Sequence, residues 1–413
     1  MSKLDPAEKL LARFKVETYS DVRLALFDAL GEACFYAFSP GSPVTLDESI
    51  RTETFAIASE YIVSKDPDAV AKGAEVAGKL LELNGLPKED ARKHLEALAA
   101  RYGAAEGASG SLRGKLLNVM ARLCGRGAYQ EDAAGLYGKF FIEGLAVKDD
   151  NTLRQAAAAG LVNIDKVVAF RLFKENALAN DSSPVIRRLV IKLAGELGGA
   201  EELMWLSDRL EKNGESDPAW QAMRAILVRE GAGEVLEWGR KLAAGSDKFG
   251  HAGELLELAE KKAEGQKDAA LLAAARTSLR DWYWQRDDYA KVIVYCDKLL
   301  GAATEPVERE KLQLMLLDAY LQTADVAKVG QLMASRLAET DMGAEDAFVS
   351  KIGTFLSLAG GNAAVKTAVV EALVAIKPAE ARPRWMSRLN VWRQMTNPPE
   401  IPAVPAPETT PPG

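Results

Sequence analysis

Apolar residues recur three and four positions apart along almost the whole chain. Leu24, Leu26, Phe27 and Leu30 show the pattern near the start, Leu189, Leu193 and Leu197 in the middle, and Leu314, Leu317, Tyr320 and Leu321 later. That spacing lines one face of an α-helix. Strand-type alternation of useful length is missing. The best β-branched patch, Val292-Ile293-Val294-Tyr295, keeps the helical register and is read as helix. Asp66-Pro67, Ser183-Pro184 and Asp217-Pro218 each set a capping side chain before a proline suited to a first helical turn. Gly85, Gly125, Gly198-Gly199, Gly231, Gly245 and Gly360-Gly361 punctuate other ends. The pattern predicts about twenty helices joined by short loops, an all-α chain of helical hairpins.

Several predicted helices open with an aliphatic residue and Arg, followed at a fixed distance by small residues. Val22-Arg23 leads to Ala29-Leu30-Gly31, Ile50-Arg51 to Ile57-Ala58-Ser59, and Leu112-Arg113 to Val119-Met120-Ala121. Ile186-Arg187 leads to Leu193-Ala194-Gly195, and Leu153-Arg154 to Ala159-Gly160-Leu161, one residue short. From Arg154 to Arg187 is 33 residues, and 33 more reach Trp220. Small residues at a helix contact permit close approach. Arg at a helix start opposes the macrodipole, so it is expected to serve a hydrogen bond or ladder between repeats.

Asp21-Val22-Arg23 with Ala29-Leu30-Gly31-Glu32, and Ser183-Pro184-Val185-Ile186-Arg187 with Leu193-Ala194-Gly195-Glu196, resemble HEAT repeats. The resemblance covers about residues 20–245, with periods of 28 to about 41 residues that mean irregular loops. Farther on, Leu279–Ile293, through Trp282-Tyr283-Trp284 and Asp288-Tyr289, resembles a tetratricopeptide repeat. A second unit follows 37 residues on, at Leu316–Val329. Both depart from that family: Arg280 and Leu317 stand where it has a small residue, and Val292 and Val329 are bulkier than its usual Ala. This resemblance covers about residues 250–340. Residues 345–377 fit one more hairpin and Arg384–Met395 a closing helix.

The resemblances imply an α-α superhelix, a right-handed solenoid of hairpins burying a continuous core and leaving an extended concave surface. The chain is accordingly divided into HEAT-like repeats over 1–245, tetratricopeptide-like repeats and a closing helix over 246–396, and a tail over 397–413. Seven of the sixteen residues from 398 to 413 are Pro, a composition that favours an extended, solvated chain or a proline-motif ligand. Gly103–Gly110 reads as a flexible loop.

Composition changes this picture in a few places. The 52 Lys and Arg against 59 Asp and Glu give a net charge of −7. That disfavours nucleic acid, which needs a concentrated basic surface, although a solenoid face is able to hide a basic stripe. Cys34, Cys124 and Cys296 lie far apart beside apolar residues, with no zinc spacing, and read as buried thiols in a reducing compartment. The N-terminus has no apolar signal region and no stretch approaches a membrane span, so a cytoplasmic protein is expected. The sequon Asn180-Asp181-Ser182 is then a chance match.

No catalytic constellation emerges. His94 falls on the polar side of its helix and His251 opens another. Neither has a metal-ligand partner at the right spacing, so both read as surface or loop residues. Gly114-Lys115 fails as a phosphate loop, because Ser109 stands at the required glycine and Leu116 follows the lysine. No GxSxG is present. No catalytic residue, metal or cofactor is therefore expected.

The densest aromatic cluster is Asp281-Trp282-Tyr283-Trp284-Gln285-Arg286. The tetratricopeptide resemblance implies that Asp281, Trp284 and Gln285, and in the next unit Asp318, Leu321 and Gln322, face the groove and bind a protein or peptide. Alternatively, Trp282 and Trp284 are core between hairpins, as Trp205, Trp220, Trp238, Trp385 and Trp392 are expected to be. The reading that follows is a non-catalytic interaction scaffold or adaptor. A HEAT-like enzyme or cofactor-delivery protein, of DNA-glycosylase or pigment-lyase type, and a coat-like structural protein are the alternatives.

Overall fold

The computed structural model describes residues 6–83, 85–105, 110–245, 250–358, 362–376 and 382–396. Among them the chain is all-α, with 21 α-helices and no strand. None of the described helices is long and apolar enough to cross a membrane. The Pro-rich tail and Gly360-Gly361 lie outside the described residues. Of the expected loop at Gly103–Gly110, Gly103 and Ala104 complete a helix and Gly110 opens the next, while 106–109 lie outside the described residues.

Packing separates two compact units, with the boundary between Ile226 and Leu227. The first holds α1 (Pro6–Val16), α2 (Ser20–Phe38), α3 (Glu48–Ile62), α4 (Pro67–Leu81), α5 (Lys88–Ala104) and α6 (Gly110–Gly125). It continues with α7 (Gln130–Leu145), α8 (Asn151–Ile164), α9 (Lys166–Glu175), α10 (Pro184–Leu197), α11 (Ala200–Ser207) and most of α12 (Ser216–Arg229). Odd and even helices pair as hairpins from α1–α2 to α9–α10. The second helices stack in order, α2 on α4, α4 on α6, α6 on α8 and α8 on α10. The first helices stack likewise from α1 to α7.

The small residues of the sequence motif lie where those helices touch. A Cβ added at Gly31 would come within 2.8 Å of Val76 on α4, and one at Gly195 within 2.8 Å of the Ala222 backbone on α12. Aspartate and serine caps are formed as expected: Asp66 accepts from the Asp68 amide at 3.1 Å, and Ser183 accepts from the Ile186 amide at 3.4 Å. At Asp217-Pro218 the helix begins two residues early, at Ser216, so Asp217 lies inside the first turn.

Of the five motif arginines, Arg154 and Arg187 form the expected links between repeats, while Arg23 bonds within the first hairpin, to the Glu17 carbonyl. Arg154 is 8 % exposed and pairs with Asp181, in the loop before α10. Arg187 donates to the Asp181 carbonyl at 2.6 Å and to Glu215, before α12, at 2.5 Å. Arg51, also buried, lies on the loop glycine Gly85, whose φ of +113° favours glycine.

The second unit contains α13 (Ala232–Ala244), α14 (His251–Gln266), α15 (Ala269–Trp284), α16 (Tyr289–Ala302) and α17 (Pro306–Gln322). It ends with α18 (Val326–Glu339), α19 (Ala347–Ser357), α20 (Ala363–Ala375) and α21 (Pro383–Thr396). Consecutive helices pack from α13 to α18, and α13 touches α15, α17 touches α19, and α19 touches α21. Residues 345–377, expected as one hairpin, hold α19 and α20, which pack on other helices rather than on each other, α19 on α17 and α21 and α20 on α18 and α21; α21 stands where the closing helix is expected. The packing boundary falls before the sequence boundary at 245, because α13 packs against α14. Val292–Tyr295 is helical, inside α16.

Cys34, Cys124 and Cys296 are buried and form no disulfide. Burial alone pushes the Cys124 thiol up to about 12. Trp220, Trp238, Trp385 and Trp392 are core residues, while Trp205 is only half-buried, with Arg209 5.4 Å from its ring.

His94 departs from its expected surface position. Its ring stacks on Phe55 of α3 at 4.7 Å, and its Nδ1 lies 3.2 Å from the Ser59 hydroxyl. The aromatic neighbour comes from another helix, which the polar flank Arg92-Lys93 gave no means of seeing. Burial lowers the imidazole pKa from its ordinary 6.5, with Asp90 opposing and Lys93 adding to the shift. Protonation therefore favours the unfolded chain, so this contribution to stability holds above 6.5 and is lost as pH falls through the lower folded value. His94→Phe keeps the stacking and removes the titration. Its urea midpoint is expected to vary less between neutral and mildly acidic pH than that of the parent; equal slopes would exclude His94 as the cause.

Candidate functional site

The six residues singled out by the tetratricopeptide resemblance fall on α15 and α17. Asp281 and Gln285 are exposed and Trp284 is half-buried, on the last turn and C-cap of α15. Gln322 is exposed at the end of α17, and Asp318, one turn earlier, is half-buried. Leu321 is a correction: it is 2 % exposed and belongs to the core, so it presents no side chain to a ligand. The cause is its place in the apolar set Leu317, Tyr320 and Leu321, all buried on α17.

The two tryptophans of the cluster separate. Trp282 packs between α14 and α15, where a Cβ at Gly253 would run into its ring. Arg286 covers it, 4.1 Å from the ring centroid. Trp282, half-buried like Trp284, is turned toward α14 rather than fully enclosed in the core. Trp284 instead meets Tyr289, the first residue of α16, edge to face at 5.5 Å and 87°. The turn between them holds both rings in place. Asp287 takes φ +56°, and Asp288 caps α16 by accepting from the Lys291 amide at 3.2 Å. The Tyr289 hydroxyl donates to Asp287 at 2.7 Å.

Sequence reasoning missed Tyr289, Asp287 and Lys351 as site residues. Asp287 and Tyr289 were absorbed into the repeat turn. Lys351 stands 33 residues after Asp318, one repeat on, and the two form an ion pair between α17 and α19. The repeat distance was the available signal. The hydrogen bond to Asp287, then burial, then the charges of Asp287 and Asp318 raise the Tyr289 pKa above its ordinary 10.0. Asp281 accepts from its neighbour Arg280 at 2.7 Å.

A second cluster lies behind this surface. Glu260, 9 % exposed, takes Lys298 at 2.8 Å, Arg276 at 3.0 Å and the Tyr295 hydroxyl at 3.3 Å. Burial would raise the carboxyl, but Lys298 and Arg276 outweigh it and hold the carboxyl below its ordinary value. Tyr283 donates to Glu257 at 2.7 Å and stacks on Tyr295 at 5.7 Å. The cluster joins α14, α15 and α16, and the last two carry Trp284 and Tyr289.

In the first unit, the stacked second helices form a face with a groove of about 360 Å³. Asp68, Lys72, Glu75, Lys115, Asn118 and Arg122 line it. Both signs alternate there: Lys72 pairs with Asp28 at 3.1 Å and Glu75 at 3.3 Å, and Lys79 pairs with Glu32 at 2.6 Å. Arg122 pairs with Glu82 on α4's C-cap. Positive charge on this face is interleaved with carboxylates rather than gathered in a stripe.

No family model matches the chain, and no curated protein matches it. Among solved structures, it is similar to an engineered protein at 13 % identity and a TM-score of 0.37, over 95 % of this chain and 99 % of that one. A second engineered protein matches at 15 % identity and 0.37, over 54 % and 97 %. Kap121p bound to Nup53p matches at 11 % identity and 0.29, over 94 % of this chain and 46 % of that one.

Proposed function

We propose that the chain is a non-catalytic scaffold that binds a protein or peptide partner on the surface of its stacked helices. The half-buried Trp284, paired with Tyr289 among polar side chains at the end of α15, carries this reading. An aromatic ring held at a surface by its own repeat suits an interface anchor, because the part still exposed is available for burial at little entropic cost. The interleaved charges on the α2–α4–α6 face favour protein over nucleic acid as partner. HEAT-like and tetratricopeptide-like repeats, a cytoplasmic setting and the absence of catalysis belong to the same proposal.

Affinity capture should recover the same partner with the full chain and with a chain ending at Thr396. The purified partner should then bind directly. Trp284→Ala should weaken that binding by about 2 kcal/mol, roughly thirtyfold, with the helical circular dichroism unchanged. Failure of any enriched protein to bind more tightly than to a charge-matched helical control would overturn the scaffold reading.

A further inference from the structure

We propose that the groove between α20 and α21 is the seat of this chain's own proline-rich segment, residues 398–407, bound in cis. The groove has a volume of about 570 Å³. Val370, Val374 and Ala375 of α20 line it from one side, and Arg393 and Thr396 of α21 from the other. α20 packs on α18 and α21, and among the described residues no later helix extends that stack. The end of a helical stack needs its apolar surface covered.

Position and sequence period select the occupant. Thr396 lines the groove and is the last described residue, so residue 397 starts from the groove itself. Asn397-Pro398 is a turn-initiating pair. Beyond it the sequence keeps a period of three: Pro399, Pro402 and Pro405 form one row, and Ile401, Val404 and Pro407 the next. Polyproline II has three residues per turn, so in that conformation Ile401, Val404 and Pro407 make one continuous apolar edge. Segment 398–407 then spans roughly 31 Å, against about 12 Å for the Thr367–Ala375 face of α20, so the edge is long enough to cover that face.

Charge contributes less. Arg393 and Glu371 both line the groove, and neither forms an ion pair among the described residues. Glu400 follows Arg393 closely enough in the chain to pair with it, while Glu371 gains nothing from an acidic segment. The apolar edge therefore carries the contact. Tethering favours this occupant over a free one, because a short connection gives the segment an effective concentration of about 1 mM. A groove that binds the free segment with a Kd of about 100 µM is then roughly nine-tenths filled in cis, and a second copy at micromolar concentration leaves it nearly empty.

The probe is a labelled peptide of residues 397–413, read by fluorescence anisotropy. It is titrated against the full chain and against the full chain carrying Ile401→Ser and Val404→Ser. The double variant releases its own segment, so it is expected to bind the peptide about tenfold more tightly than the parent. A peptide with one glycine inserted after Ala403 moves Val404 off the apolar edge and should bind the double variant roughly fivefold more weakly. Arg393→Gln, added to the double variant, should weaken the parent peptide by about threefold, and by less at high salt. Hydrogen exchange should be faster in α20 and the last turn of α21 in the double variant, and unchanged in α14, α15 and α16.

Equal peptide binding by the parent and the double variant would overturn the proposal. So would undiminished binding of the glycine-shifted peptide, or exchange in α20 that the double variant leaves unchanged. A parent dimer that dissociates in the double variant, seen by analytical ultracentrifugation, would assign the groove to a second copy's segment and overturn the cis contact. The groove shares no helix with the Trp284–Tyr289 pair, so none of these outcomes bears on the scaffold reading.

Discussion

Asp181→Ala is expected to destabilise the first unit by about 3–5 kcal/mol, the cost of removing one partner from a buried ion pair. Asp181 and Arg154 are both 8 % exposed, and they face each other across successive repeats. Without the carboxylate, Arg154 keeps only a long bond of 3.5 Å to Asn151. The Asp181 side chain also accepts from the Ser183 amide at 2.7 Å, and Ser183 caps α10 while accepting from Gln155 of α8 at 2.9 Å. The loop that joins three helices is therefore organised by one carboxylate. Asp181→Asn keeps the turn bond and loses the charge, so its cost should fall between that of the alanine variant and the parent. Arg154→Met combined with Asp181→Asn should be less harmful than Asp181→Ala, because no charge is left stranded. Urea unfolding followed by circular dichroism measures all three. Hydrogen exchange should show the loss concentrated in α8, α9 and α10. A cost for Asp181→Ala below about 1 kcal/mol, the range of exposed pairs, would mean that the pair is not a structural link.

This ladder shows what the sequence made legible. An Arg at the start of a helix is unfavourable toward the macrodipole, and its recurrence with a small residue beyond pointed to a link between repeats. Arg154 and Arg187 make that link. The acceptors were not legible, because Asp181 and Glu215 sit in irregular loops that carry no periodic signal. Nor was the role of Asn180 visible, whose side chain takes Arg209 in the same network. In the second unit, helical periodicity located α15 and α17, but the apolar stripe of α17 is wide enough to include Leu321. Position within the repeat alone placed Leu321 on the surface, and packing placed it in the core. Trp284 was legible as an aromatic near the end of a helix. Its partner Tyr289 was not, since the two rings meet only because Asp287 turns the chain at φ +56°.

Gly195→Ala is expected to destabilise the first unit by about 1–3 kcal/mol, the range for forcing an extra carbon into a packed contact. Intrinsic helix propensity alone gives the opposite sign, since alanine is better than glycine in a helix by about 1 kcal/mol. The contact decides. A Cβ at Gly195 would come within 2.8 Å of the Ala222 Cα and 3.0 Å of its Cβ, so α10 and α12 would have to separate. Gly73→Ala should act the same way, because its Cβ would meet the Ile62 amide nitrogen at 2.9 Å and the Ala58 carbonyl at 3.0 Å. Backbone atoms of α3 have no rotamer in which to yield. Gly135, in the middle of α7, has nothing within 4 Å of an added Cβ. Gly135→Ala should therefore stabilise the chain by roughly 0.5–1 kcal/mol, the propensity gain without the contact. Three single variants of the same chemistry thus separate local preference from helix stacking in one set of urea midpoints. If Gly195→Ala raised the midpoint as Gly135→Ala does, close approach of α10 and α12 would not be what requires glycine there. If all three fell together, the loss would lie in α-helix formation itself, against the propensity order. Opposite signs are the result that ties the small residues of the repeat motif to the distance between its stacked helices.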